Sequence, residues 1–526
     1  MNSLTGRPQW RTRVIAMAFA VSAALALGAC KDGTDQDPQP APSGGAAPGA
    51  PEVPASAASD SVSTPASYTL TVQPSTNGTI TGTVSNSSYA AGTAVTLTAT
   101  SDGTYGLNQW LGDAASCGSA PTCTVTMNGH KTVGAIFKTV PVGYGAAVTG
   151  GAGGQVVDVS TAAELKAALC NAYNGSICVD TTPRIIRVTA MIDFIGQEGT
   201  TTGKACVYSH NNCSLNGKQE KILDWNAYCA DRTLFDLTYD SAGGSPLRVG
   251  SNKTVIGVGK AAGVKGKGFY LRDGVSNVII RNLNITDIND GVIWGGDAIT
   301  IDGASDVWID HNYIARIGRQ MIVTGWGPAD RVTISNNVLD GTTDYGHYCD
   351  GRSYWFMLLI AEGQTLTIIG NKIYNSSGRA PEVGRSPWAL QKGMVHLVNN
   401  LYDSNFWMGL GASDDVATLV EANDFTSTPL TFYPIFSGSE TNLVFAPLQT
   451  NTDVANGYCT GVLSRNCMPN SASNSTVDFV VNPAVTDLLR QNATWRQGAA
   501  AVRPIPAASV RARVNATAGP QLDPDS

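Results

Sequence analysis

Residues 294–320 read WGGDAITIDGASDVWIDHNYIARIGRQ, and the reading of this stretch decides the fold. Its centre, Val307-Trp-Ile-Asp-His-Asn312-Tyr-Ile314, sets apolar residues two apart, then an amide, then another apolar residue. That alternation predicts a short strand with one buried face. The phrase returns as Val278-x-Ile280-x-Asn282, Val332-x-Ile334-x-Asn336-Asn337, Leu366-x-Ile368-x-Gly370-Asn371, Val395-x-Leu397-x-Asn399-Asn400 and Val420-x-Ala422-Asn423. Repeats roughly 23 to 34 residues apart belong to solenoids, because units this short cannot bury an apolar face alone and must share one core. The predicted fold is all-β: a right-handed parallel β-helix. Six Asn in register, counted from Asn282 to Asn423, predict an amide ladder at one turn. Asn in any single turn would be ordinary.

Outward from that array, the chain of 526 residues is long enough for more than one domain, poor in charge (14%) and rich in glycine (57 residues). A net charge of −7 gives no reason to expect nucleic acid or an anionic membrane surface as partner. Residues 1–30 read as a processing segment. Arg7, Arg11 and Arg13 precede an apolar run from Val14 to Leu27, too short to predict a membrane span. Leu27-Gly-Ala-Cys30 resembles a bacterial lipobox and predicts cleavage before Cys30 with lipidation of its thiol, so that the only membrane contact is a lipid anchor, in the outer membrane because Lys31 follows. Residues 31–66, rich in Pro, Ala, Ser and Gly, read as a disordered linker.

Ten cysteines remain after Cys30, and an even number in an exported chain predicts disulfides. Cys117 with Cys123, Cys170 with Cys178 and Cys459 with Cys467 are near neighbours. Cys206, Cys213, Cys229 and Cys349 allow three connectivities. No Cys or His spacing suggests zinc.

Residues 67–139 form alternating β patterns split by Gly and Asn (YTLTV, GTITG, AVTLTAT, TCTVTM, VGAIF) around Trp110, and resemble a small bacterial surface repeat. This predicts a spacer module; a carbohydrate-binding module would need an exposed aromatic row, which the pattern lacks. Residues 140–500 hold the array. Ser160-Thr161 ahead of Glu164-Leu165 predicts a capped helix closing the open end of the solenoid, with Arg184 to Val188 as first strand. Asn482-Pro483 predicts a second helix start over Ala484 to Gln491, packed on the outside. Residues 501–526 read as a C-terminal tail, disordered from Arg511 on.

WGGDAITIDG, VWIDH, ARIGRQ and SSGRAPEVG resemble the pectate/pectin lyase family, family 1 of the polysaccharide lyases, in its pectin lyase branch, over roughly Tyr144 to Phe425, with Arg490 as the outer limit. The resemblance implies a parallel β-helix enzyme that cleaves α-1,4-linked galacturonan by β-elimination. It favours Cys206 with Cys229 and Cys213 with Cys349. It implies that Arg379, opening R-A-P-E-V-G, is the base; the motif's second arginine is Gly384 here, with Arg385 one place on as a candidate substrate contact. Arg319 matches the arginine at the calcium position of pectin lyases, and Asp297 the family's acidic site residue. Trp294 and Trp355 match an aromatic cleft suited to esterified polymer, and Trp225 is a further candidate for it; Trp326, Trp388 and Trp407 read as packing.

The residues support this from below. Elimination needs a base for the proton α to the carboxyl and a positive charge for the enolate-like anion. Arg319 lies seven residues past Asn312 and Arg379 eight past Asn371, with one coil between, so at roughly 4.8 Å per step they leave the same side about 10 Å apart. An arginine base needs a neighbouring cation to lower its pKa. An ester substrate requires no cofactor; a free carboxylate requires neutralisation, which calcium supplies in related pectate lyases. Ile317-Gly-Arg-Gln-Met321 holds no carboxylate pair for calcium. The reading is therefore a secreted or cell-surface, monomeric lyase preferring methyl-esterified pectin, without metal. The alternatives are a calcium-dependent pectate lyase on de-esterified polymer and a non-catalytic, binding or adhesin β-helix. A glycoside hydrolase would need paired carboxylates, and Asp414-Asp415 alone does not supply them.

Overall fold

The computed structural model describes residues 66–208, 219–384, 393–413, 415–434, 443–478 and 480–524. Three parallel sheets of ten, nine and eight strands wind as one solenoid. Each coil visits them in turn: Ile299–Asp302, then Ala304–Asp310, then Tyr313–Ile317, then the next coil at Ile322–Thr324. Register is kept from coil to coil, Val278 on Val307 on Val332 on Leu366 on Val395. The inward row is fully buried, and Tyr402 stacks on Phe425 with centroids 4.2 Å apart. This is the parallel β-helix the repeats predict.

The turn after the ten-stranded sheet explains the Asn doublets. Asn282, His311, Asn336, Gly370, Asn399 and Ala422 all have positive φ, between 51° and 70°. Asn and Gly tolerate that region best. The residue after each is the ladder rung: Asn312, Asn337, Asn371, Asn400 and Asn423 are buried, each side-chain amide donating to the next at 2.9–3.0 Å. Asn282 is therefore not a rung, contrary to expectation. Leu283 holds that place and donates its N–H to Asn312 Oδ1. The sixth rung is Asn470, which receives Asn423 at 2.9 Å. It lies 47 residues on, past helix α2 (Thr452–Leu463), so its spacing hides it.

The first strand is Gln155–Val159, paired with Arg184–Val188, which was expected to begin the solenoid. Of its residues QVVDV only Val159 is buried, so the strand lacks the inward alternation of the later coils. Helix α1 (Ala162–Leu169) follows it with the expected capping box of Thr161 and Glu164. Helix α3 (Pro483–Gln491) starts on Asn482, whose Oδ1 accepts the Ala484 N–H, and buries Val485 and Leu489 against Leu419 and Phe445 on the outside of the solenoid.

The C-terminal residues correct the expectation of disorder from Arg511. After helix α4 (Ala493–Ala501), helix α5 (Ala507–Thr517) buries Val510 and Val514, one turn apart, on Leu401. Beyond it Gly519 donates to Asn336, Gln521 exchanges bonds of 2.7 and 3.1 Å with Asn282, and the Pro524 carbonyl accepts from Arg281. The segment satisfies polar groups at the positive-φ turns, a docking surface that exists only once the coils are stacked. Residues 143–151 form a second strap on the ten-stranded sheet, with N–H groups of Tyr144, Gly145 and Gly151 donating to Thr367, Thr333 and Thr254. A side chain at Gly143, where φ is 65°, would collide with Thr367.

The N-terminal module has the expected strands plus Ser87–Ala90 and Tyr105–Gly112. Trp110 is buried at its centre. It packs on the β-helix: Arg513 of α5 donates to Asn77 at 2.8 Å and lies 5.4 Å over the Tyr105 ring, and Thr104 bonds Asn336. Disulfides join Cys117–Cys123, Cys170–Cys178, Cys206–Cys229 and Cys459–Cys467. Cys213, expected on Cys349, lies outside the described residues, as do Cys30, Arg385, Trp388 and Asp414.

Candidate functional site

The outward face of the eight-stranded sheet is the floor of a cleft. Its register aligns Tyr270, Thr300, Val323, Leu358 and Glu382. Val323, Leu358 and Ile360 pack into an apolar patch at its middle. One wall comes from the insertion between early coils. Thr200–Cys206, Lys221–Leu223 and Phe235–Asp240 form a small sheet whose Lys221–Leu223 edge takes on Val292–Ile293, the strand ahead of Trp294. The Cys206–Cys229 bridge ties down the Trp225–Ala227 turn.

Trp225, Trp294 and Arg319 then form a stack. The two indoles are 4.8 Å apart and the Arg319 guanidinium lies 3.8 Å from the Trp294 ring centre. Asp297 orients that guanidinium. Its Oδ2 accepts from Arg319 Nη1 at 3.3 Å and its Oδ1 from the Gln320 N–H at 2.8 Å. Burial lowers the Arg319 pKa; the Asp297 carboxylate opposes this and the positive charge of Arg379 adds to it. Its Nε is buried without a hydrogen-bond partner among the described residues. A cavity of about 300 Å³ opens beside it, lined among others by Trp225, Tyr270, Trp294, Asp297, Asp302 and Trp326.

Arg379 follows the buried turn Ser376-Ser-Gly378, where Ser376 Oγ donates to the Gly378 carbonyl. It takes a φ of 43°. Its Nε donates to Glu382 Oε2 at 2.9 Å, and its guanidinium lies 4.8 Å over Trp355 and 5.5 Å over Tyr354. The backbone places the two arginines as the ladder offsets predict. Met321 N–H donates to the Trp355 carbonyl and Met357 N–H to the Arg379 carbonyl, so one coil separates them.

Two aromatic expectations change. Trp355 does not line the cleft: it is 7% exposed, and its indole N–H donates to Glu220 at 2.9 Å, so it supports Arg379 from beneath. Trp326 is not packing: it is 54% exposed on the cavity rim. Trp225 and Trp294 lie in the cleft. Trp407 packs at its far end with Tyr354 and Tyr433.

Glu220, Glu382, Tyr270 and Asp302 escaped sequence reading. Tyr270 and Asp302, joined by a 2.8 Å hydrogen bond, were findable by carrying the repeat register into the eight-stranded sheet. Glu220 sits in an insertion without repeats; His347 meets its other oxygen at 3.0 Å. The donors around Arg319 do not fit calcium. The Arg319 guanidinium fills the space beside Asp297, and among the described residues no three carboxylate, imidazole or thiol groups converge.

A family model described as pectate lyase matches residues 236–522, and one described as a divergent InlB B-repeat domain matches residues 68–141. A probable pectin lyase F of Neosartorya fischeri is 38% identical over 72% of this chain and 94% of its own length. A probable pectin lyase F-1 of Aspergillus terreus is 41% identical over 59% of this chain and 77% of its own. A solved variant pectate lyase of Xanthomonas campestris superposes with a TM-score of 0.44 at 19% identity, over 73% of this chain and 100% of its own.

Proposed function

This chain belongs to the pectate lyase family, and on that premise we propose that it cleaves methyl-esterified galacturonan by β-elimination without a metal. The observation that carries the preference for ester is the Trp225–Trp294–Arg319 stack. It sets an apolar wall and a fixed cation where a calcium-binding site would need carboxylates. An apolar cleft penalises burial of a fully charged polymer, and an esterified uronide avoids that cost.

In the proposed mechanism the ester carbonyl lies against Arg319, whose guanidinium is held by Asp297 and Trp294. As the proton leaves C5, negative charge grows on the carbonyl oxygen, and a cation already desolvated stabilises it without reorganisation. Arg379 takes the C5 proton. The C4–O bond then breaks with its electron pair, leaving a 4,5-unsaturated unit. A guanidinium serves as base only when nearby positive charge and burial favour its neutral form. The positive charge of Arg379 works in that direction on Arg319, and Glu382 orients Arg379 through a 2.9 Å bond.

Export follows from the same reading: four disulfides among the described residues suit an oxidising compartment. No helix among the described residues is long and apolar enough to cross a membrane. We propose further that a lipid on Cys30 anchors the chain in the outer membrane, that the protein is a monomer, and that its parts divide at residues 30, 66, 139 and 500.

Absorbance of the unsaturated product tests the function, on highly methylated pectin and on polygalacturonate, each with calcium and with chelator. Product from the methylated polymer that survives chelator and vanishes in Arg379→Ala is expected. Product only from polygalacturonate with calcium would make this a pectate lyase and overturn the role given to Arg319.

A further inference from the structure

We propose that the basic groove at the N-terminal end of the cleft is a subsite for an unesterified galacturonate carboxylate, which rests on the lyase reading above. Arg248 pairs in register with Tyr270, and Tyr270 with Thr300 and Val323, so Arg248 extends the cleft floor by one strand. Three strand steps of roughly 4.8 Å place it about 14 Å from the strand of Val323 beside Arg319. Pro246 lines both the cavity at Arg319 and a second one of about 330 Å³, so the two lie side by side along the cleft.

The second cavity gathers Lys166, Arg248 and Lys267 against one carboxylate, Glu198. Both oxygens of that carboxylate are taken, Oε1 by Lys166 and Oε2 by Lys267, each at 2.6 Å. Arg248 has no such partner. Its guanidinium lies 4.5 Å over the Tyr270 ring, and its Nη1 is buried without a hydrogen bond among the described residues. A half-buried guanidinium whose Nη1 has no partner among the described residues, beside an open cavity, favours a bound anion, and its planar fork matches a carboxylate. A methyl ester would bring no charge to it. The substrate class is thus partly esterified pectin, with an ester at the arginine pair and a free acid several units away.

The test compares wild type, Arg248→Gln and Arg248→Lys on fully methylated pectin and on pectin of intermediate methylation, by product absorbance. It adds calorimetric binding of a saturated, unesterified oligogalacturonate. Expected is a loss in kcat/KM of roughly tenfold or more for Arg248→Gln on the intermediate polymer, a smaller loss for Arg248→Lys, and little change on the fully methylated polymer. Oligogalacturonate affinity should fall by the same factor. An equal loss on both polymers, or oligogalacturonate binding untouched by Arg248→Gln, overturns the proposal. Absence of product from wild type on every polymer would sink the lyase reading instead, and the calorimetric arm would still decide the subsite.

Discussion

Replacing Arg319 with glutamine removes the one cation that the Trp294–Asp297 frame holds, while leaving the solenoid core untouched. The structure sets the size of the effect. Arg319 is largely buried, stacked 3.8 Å over Trp294 and bonded to Asp297. A preorganised donor to a developing oxyanion contributes a factor of about 10²–10³ in kcat. Arg319→Gln should lose that much on methylated pectin, with KM changed far less. Arg319→Lys keeps a charge but not the planar stack, worth about 2 kcal/mol when desolvated, so a loss of about 30-fold is expected. The fold should survive. Asp297 keeps the Gln320 N–H, so thermal stability should fall by only a few degrees. The assay is initial-rate absorbance of the unsaturated product, beside a melting curve for each variant. A glutamine variant that melts like wild type and retains kcat within fivefold would refute the electrostatic role. A lysine variant equal to wild type would show that the stack on Trp294 does nothing.

Asn371→Ala removes the acceptor for Asn337 and the donor to Ile334 and Asn400 in the middle of the ladder, so unfolding in denaturant should show a loss of about 4 kcal/mol. Asp290, pushed up to about 6 by burial, with Thr343 hydrogen bonds opposing, binds a proton more readily folded than unfolded. It therefore contributes stability at acid pH that fades as pH rises from about 4 to 6, by about 3 kcal/mol at most. Melting curves of Asp290→Asn should lack that slope and lie above wild type at neutral pH. Trp326→Ala should raise KM on methylated pectin several-fold at unchanged melting temperature, because the ring is exposed and lines the cavity. Glu220→Gln keeps a partner for Trp355 Nε1 but drops the charge facing His347, so kcat on methylated pectin should fall modestly at an unchanged melting temperature; an unchanged kcat would place Glu220 outside the support of Arg379.

Much of the fold was legible because a solenoid repeats its constraints. Each coil must place an apolar row inward and an amide at one turn, so Val278, Val307, Val332, Leu366 and Val395 announce themselves at regular spacing. The same spacing carried Arg319 and Arg379 to one side with a single coil between them. Capping at Thr161 and Asn482 is local chemistry and was readable for that reason. Reading failed where a partner was distant or the repeat was interrupted. Asn470 is hidden behind α2, and Asn282 resembles a rung in sequence because an amide suits both the positive-φ place and the ladder.

Sequence alone therefore determined the solenoid, its turn chemistry and the pair of arginines, since these follow from residue spacing and from backbone preferences. Only the tertiary structure decided what surrounds them. Trp355 went beneath Arg379 and Trp326 to the rim, Glu220 came from an insertion to hold that support, and residues 507–524 folded back onto turns made by coils far earlier in the chain. Burial, desolvation and side-chain stacking depend on which segments meet across the coils. One-dimensional spacing along the chain does not carry that.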